Sequence, residues 1–257
     1  MPPRPRPAHR TRAARRTSRI LLAVAAMATL VSVDLPAAEA APPLGVTAQA
    51  QPGAPANRVG ALFAGNLDGG HFCTAAVVHS DGRDVIATAA HCVGDPQNTV
   101  FAPAYRDGRA PYGLWRITSV YVAPGWTDGR DPDADIAFAT VTPVAGGQPG
   151  YVEDVVGGFR VAADQPADAT VTVLGYPSSL EAPLRCANAT TLFSATQRRI
   201  DCPDLSSGTS GSPWLVDGAL AGVLGGHEDG GSVPEVSYSA VMDDQAVELY
   251  REAAEAG

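Results

Sequence analysis

Short strand-like runs broken by turn signals restrict this chain more than any other feature. Such runs cover residues 72–79, 84–89, 114–122, 136–141, 169–176, 212–216, 219–224 and 236–241. Ser80-Asp81-Gly82-Arg83 separates the first two and predicts a hairpin, and Asp217-Gly218 is a strong tight-turn signal between two later ones. Only 243–256 reads as a helix, with Ala246, Val247, Leu249 and Tyr250 on one side and Glu and Arg elsewhere. The pattern therefore specifies an all-β fold followed by one helix. The Pro/Gly-rich stretch 143–150 divides it into halves, and no internal repeat is visible.

The ends of the chain read differently. Seven arginines precede an apolar run from Ile20 to Val33, and Ala38-Glu39-Ala40 offers a small-x-small cleavage site. Residues 1–40 are therefore expected to be an export signal, and the apolar run is too short for a retained membrane anchor. Arg15-Arg16 leaves both the general and the twin-arginine route open. Residues 41–57 have little periodicity and are expected to be a pro-segment or a disordered leader.

Charge sharpens once the signal is set aside. Seven of the 18 arginines lie before residue 41 and no lysine occurs, whereas only Asp34 and Glu39 of the 27 acidic residues are lost. The remainder is near −14, which disfavours nucleic acid and anionic membranes as partners. Four cysteines suit an oxidising compartment. Three pairings are possible, but the spacing suggests two local ones, Cys73 with Cys92 and Cys186 with Cys202. No CxxC or paired Cys/His spacing points to a metal.

Chemistry concentrates in three strings. Gly208-Thr209-Ser210-Gly211-Ser212-Pro213 sets a serine between glycines, where a sharp turn can present its hydroxyl. A serine hydroxyl is a poor nucleophile without a base, and Thr88-Ala89-Ala90-His91-Cys92 supplies an imidazole. Asp135, opening the apolar run Ile136-Ala137, supplies a carboxylate that can fix the tautomer of His91. Asp131 and Asp133 compete for that role, as Ser206, Ser207 and Ser212 compete with Ser210. His71, His79 and His227 have no motif partner.

Together with His71-Phe72-Cys73, these strings resemble the trypsin/chymotrypsin family, in its secreted bacterial form, over residues 58–257. The resemblance implies two six-stranded antiparallel β-barrels, 58–145 and 146–257, with the active site in the cleft between them and a C-terminal helix. It implies a catalytic His91, Asp135 and Ser210, and an oxyanion hole from the N–H groups of Gly208 and Ser210. It implies hydrolysis of peptide bonds through an acyl-enzyme, polypeptide substrates, a monomer, a secreted extracellular location and no need of a metal or organic cofactor.

Two departures matter. Trypsin carries an aspartate before its nucleophile to pair with a freed N-terminus; this chain has Thr209. Activation by insertion of a new N-terminus is therefore not expected. Asp204 stands six residues before Ser210, where trypsin-like enzymes carry the acidic floor of the substrate pocket, and would select arginine or lysine. Gly225, Gly226 and His227 occupy the opposing wall, where His227 would instead favour glutamate. A non-catalytic binding module and an esterase are the alternatives to a peptidase.

Overall fold

Simple polar/apolar alternation is scarce in the first half of the chain, because its strands are covered on both faces. The computed structural model describes residues 43–256 apart from 148, 164, 165 and 167, so the expected export signal lies outside the described residues. The chain enters through β1 (Ala48–Gln49) and then builds β2 (Val59–Ala64), β3 (His71–Val77), β4 (Val85–Thr88), β5 (Thr99–Pro103), β6 (Trp115–Val122) and β7 (Ala137–Pro143). These last six close into a barrel in the order β2-β3-β4-β7-β6-β5, with every neighbouring pair antiparallel. Val59, Leu62, Phe63, Val77, Ile86, Phe101 and Phe138 are fully buried in it. Strands β2 and β5 escaped the sequence reading because nearly every residue in them is buried, leaving no period to detect.

The second half forms β8 (Thr170–Gly175), β9 (Leu184–Leu192), β10 (Gln197–Asp201), β11 (Pro213–Val216), β12 (Ala219–Val223) and β13 (Val236–Ala240). Their order is β12-β11-β8-β9-β10-β13, with β1 added onto β9. Long β9 bends, pairing β8 through Leu184–Ala189 and β10 through Thr190–Leu192. The sheet curls without closing. Its ends are drawn together where Gly225 N–H donates to Tyr238 O at 3.0 Å. The two-barrel fold is present, with the second barrel an incompletely closed one.

Among the described residues three α-helices complete the fold: α1 (Pro124–Gly129), α2 (Val152–Val156) and α3 (Asp244–Glu255). Asp243 caps α3 by accepting from Ala246 N–H at 2.9 Å. Although α3 follows the second sheet, it packs on the first barrel: the Tyr250 ring lies 5.6 Å from Phe138, and its hydroxyl donates to His79 O at 2.6 Å.

The described residues of 41–57, expected to be a pro-segment or a disordered leader, are bonded to the second half of the chain. Gly45 N–H donates to Asp201 O, Thr47 Oγ1 to Pro203 O, and Ala50 N–H to Pro183 O, at 2.6–2.8 Å. Ala50 and Ala56 are buried. The reason it looked featureless is that backbone bonds, rather than an apolar face, dock it. Gly45 fits because a Cβ there would lie 2.6 Å from Cys186 Sγ. The structure joins Cys73 to Cys92 and Cys186 to Cys202. No described helix is long and apolar enough to cross a membrane.

Candidate active site

His91 sits on the 3₁₀ turn Ala90–Val93 that leaves β4, beside the disulfide at Cys92. Asp135 follows the 3₁₀ turn Pro132–Ala134 that leads into β7. Because β4 pairs with β7, the two residues leave adjacent strands at the same barrel rim. His91 Nδ1 and Asp135 Oδ2 are 2.7 Å apart, and His91 N–H donates to Asp135 Oδ1 at 2.9 Å. Asp135 is fully buried and His91 is 15 % exposed through its side chain. A buried carboxylate needs several donors, and Gly226 N–H supplies a third at 2.8 Å from the second sheet.

The competing carboxylates have other duties. Asp131 caps its turn by accepting from Asp133 N–H, and Asp133 accepts from Thr196 Oγ1 and Gln197 Nε2. Of the other histidines, His71 bonds Leu180 O and His79 bonds Glu153. The ring of His227 packs against Phe193 and Tyr238 at 4.6 and 4.9 Å.

Ser210 caps the turn before β11, and the surrounding backbone is heavily bonded. Thr209, 1 % exposed, donates through its hydroxyl to Ser206 O at 2.7 Å. The residue standing in place of the zymogen aspartate thus ties the turn to itself. Thr209 O accepts from Ser212 N–H and Oγ at 3.0 and 2.6 Å, and Ser207 O accepts from Ser178 N–H at 2.7 Å. A trans peptide points its N–H opposite to its C=O. The tied carbonyls therefore leave the N–H groups of Gly208 and Ser210 facing the other way, and neither is spent on a bond among the described residues. Gly208 has φ +95°, and a Cβ there would lie 2.5 Å from Ser178 N.

A cavity of about 350 Å³ adjoins Ser210, with Leu205, Ser206, Ser207 and Thr209 on one side and the 228–234 loop on the other. Asp204 does not line it. That residue is exposed in a turn with φ +67°. Gly225 and Gly226 pack around Asp135 instead, and His227 is held in its aromatic cluster. The carboxylates on the cavity wall are Glu228 and Asp229, which sequence reasoning missed. Both have left-handed backbones, at φ 51° and 54°, in a segment no periodicity could place.

Asp229 reaches further into the site. Its carbonyl accepts from Ser210 Oγ at 3.4 Å, and a carboxylate oxygen lies within 4.8 Å of a His91 ring nitrogen and an Asp135 oxygen. His91, Asp135 and Asp229 offer metal-type donor atoms, but Asp135 Oδ2 already accepts from both His91 and Gly226. On the other side of His91 a second cavity, about 270 Å³, is lined by Val93, Val120, Trp126 and Arg130.

Comparison with known proteins agrees with this architecture. The sequence pattern of the trypsin-like peptidase domain matches residues 73–223. The protease Anisep from Arthrobacter nicotinovorans superposes with a TM-score of 0.68 at 25% identity, over 82% of this chain and 100% of that one. A thermostable serine protease, AL20, from an extremophilic microorganism gives 0.68 at 26%, over 79% and 99%. A Glu endopeptidase gives 0.66 at 18%, over 81% and 96%, a likeness of fold. No curated protein sequence matches the chain. With more than half its length matched by the family pattern, the chain belongs to the trypsin-like peptidase family and is a serine endopeptidase.

Proposed function

We propose that this is a secreted endopeptidase in which Ser210 attacks the peptide carbonyl, His91 is the base and Asp135 orients His91. The observation that carries the reading is the buried, triply bonded Asp135 holding His91 Nδ1 at 2.7 Å. That bond fixes the proton on Nδ1 and leaves Nε2 free to accept the Ser210 proton. Attack forms the bond from Ser210 Oγ to the carbonyl carbon. The resulting oxyanion takes the free N–H groups of Gly208 and Ser210, and His91 returns its proton to the leaving amine. Water, deprotonated by His91, then releases the acyl group and restores Ser210. Substrate must also displace the weak contact of Ser210 with Asp229 O.

Glu228 and Asp229 on the cavity wall favour a cationic side chain before the scissile bond over glutamate. Both are exposed, so the preference is modest and weakens with salt. The two disulfides support export to an oxidising compartment.

The test is covalent labelling with a fluorophosphonate probe, beside cleavage of a peptide library. Parent protein should label and cleave, and Ser210→Ala should do neither. A parent that labels but turns over esters alone would mark an esterase, and one that never labels would mark a binding module. Arginine or lysine preference should survive Asp204→Ala and fade in the Glu228→Gln/Asp229→Asn pair. Loss with Asp204→Ala would return the pocket floor to Asp204.

A further inference from the structure

We infer that Thr74 is a positioning residue for the oxyanion hole, acting from the first barrel on the nucleophile turn of the second. Thr74 lies on β3 next to Cys73 and is fully buried. Its hydroxyl donates to Gly208 O at 3.0 Å and accepts from Tyr176 N–H at 2.9 Å. Its own N–H donates to Ser210 O at 2.7 Å, and its carbonyl accepts from Thr88 Oγ1 at 2.8 Å. Every polar atom of the residue is thus engaged, and two of the four bonds reach the turn that carries Ser210.

The three peptide planes of that turn are held by different means. The plane from Ser207 to Gly208 is fixed at its carbonyl by Ser178 N–H, and the plane from Thr209 to Ser210 by Ser212. The middle plane, from Gly208 to Thr209, is held at its carbonyl by the Thr74 hydroxyl and at its N–H by Ser206 O at 3.1 Å. Gly208 lies between two of these planes, and no side chain there resists rotation about its backbone bonds. Removing the hydroxyl leaves Gly208 O and Tyr176 N–H unpaired in a buried place, so the middle plane loses its carbonyl anchor and keeps only the bond from Thr209 N–H to Ser206 O. A tilt of the middle plane about the unhindered Gly208 bonds then strains the neighbouring plane from Ser207 to Gly208, and the Gly208 N–H it carries is aimed less well at the developing oxyanion. The bond from Thr74 N–H to Ser210 O is a backbone bond and survives the substitution, so the nucleophile itself stays put.

This role rests on the proposed triad and oxyanion hole. The test compares Thr74→Val, which keeps the shape without the hydroxyl, with Thr74→Ser, which keeps the hydroxyl. On a peptide amide substrate, T74V should lower kcat about 10- to 30-fold with KM changed less than about two-fold, a fraction of the effect of losing a whole donor. A peptide boronic acid, whose tetrahedral adduct places an oxygen in the hole, should bind T74V weaker by the same factor as kcat falls. T74S should recover kcat to within about three-fold of the parent by the same reasoning. If T74V fails to fold, Thr74→Ala is read against the same criteria. A T74V kcat equal to the parent's, a change confined to KM, or a T74S as impaired as T74V would overturn the assignment. A parent inert to both probe and peptide would instead sink the triad reading, and this inference with it.

Discussion

In the first half of the molecule β2 to β7 pair in a ring, so each strand edge is met within the barrel. In the second half β12 and β13 remain the ends of a curled sheet, drawn together by the bond from Gly225 to Tyr238. The cores differ as well. The apolar core of the first barrel runs on into the interface, to Tyr176, Leu215, Val223 and Leu249. The second sheet has a smaller cluster of its own, around Val173, Ile200 and Trp214, with both sulfurs of Cys186–Cys202 inside it. The closed half presents His91 and Asp135, and the open half presents Ser210 and the cavity. The proposed base, which must hold one tautomer, sits on the self-sufficient scaffold. The proposed nucleophile and the cavity wall sit on the open sheet.

Four measurements would break or sharpen that contrast. Ser210→Ala should reduce kcat by about 10⁶ while leaving thermal stability unchanged, because its side chain makes one long bond to Asp229 O. Kinetics beside calorimetry would check this, and a lowered melting temperature would mean the open half depends on its nucleophile for structure.

Asp135→Asn should reduce kcat by about 10⁴, and it should also lower stability. The amide cannot accept all three bonds from His91 N–H, His91 Nδ1 and Gly226 N–H as well as a carboxylate does. Asp135 is where the closed half grips the open one, so a variant that loses activity at full stability would separate the two roles.

The disulfides should divide along the same line. Each closes a short loop, of 19 and 16 residues in separation, and removing either should cost about 3 kcal/mol. Replacing Cys73 and Cys92 by alanine should also slow catalysis, because Cys92 adjoins His91. Replacing Cys186 and Cys202 should cost stability with kcat retained. Equal kinetic losses would show that the halves are not specialised.

The smallest effect belongs to Asp84, at the start of the hairpin strand β4. Burial raises its pKa, and its Oδ1 has no partner. A carboxyl group whose folded pKa is raised binds protons more tightly when folded. Its contribution is therefore favourable below the ordinary carboxylate range and lost as pH rises through the raised value. Asp84→Asn should flatten that part of the stability–pH curve and melt slightly higher at neutral pH. A lower melting temperature at pH 7 would show that the charge is needed.

The proposed chemistry was legible in local strings, because a serine turn, a histidine turn and a strand-opening aspartate each leave a fixed local signature. The structure then brought His91 and Asp135 together through the pairing of β4 with β7. The cavity wall was illegible for the opposite reason. Glu228 and Asp229 adopt left-handed backbones after Gly226, where neither residue type nor spacing announces a wall. A count of six residues from Ser210 does not say what lines the cavity, and Asp204 stands exposed outside that lining. Strands β2 and β5 were hidden by uniform burial, and the leader by docking through its backbone.

The two ends of the described chain cross over. Thr47 bonds Pro203 across 156 positions, and Tyr250 near the other end bonds His79 across 171. Each half is completed by a piece belonging to the far end of the polypeptide. A chain made in order from its N-terminus would hold Thr47 idle until Pro203 had followed. Contacts so distant in sequence close slowly, so each half gains its clasp only after its own strands are in place.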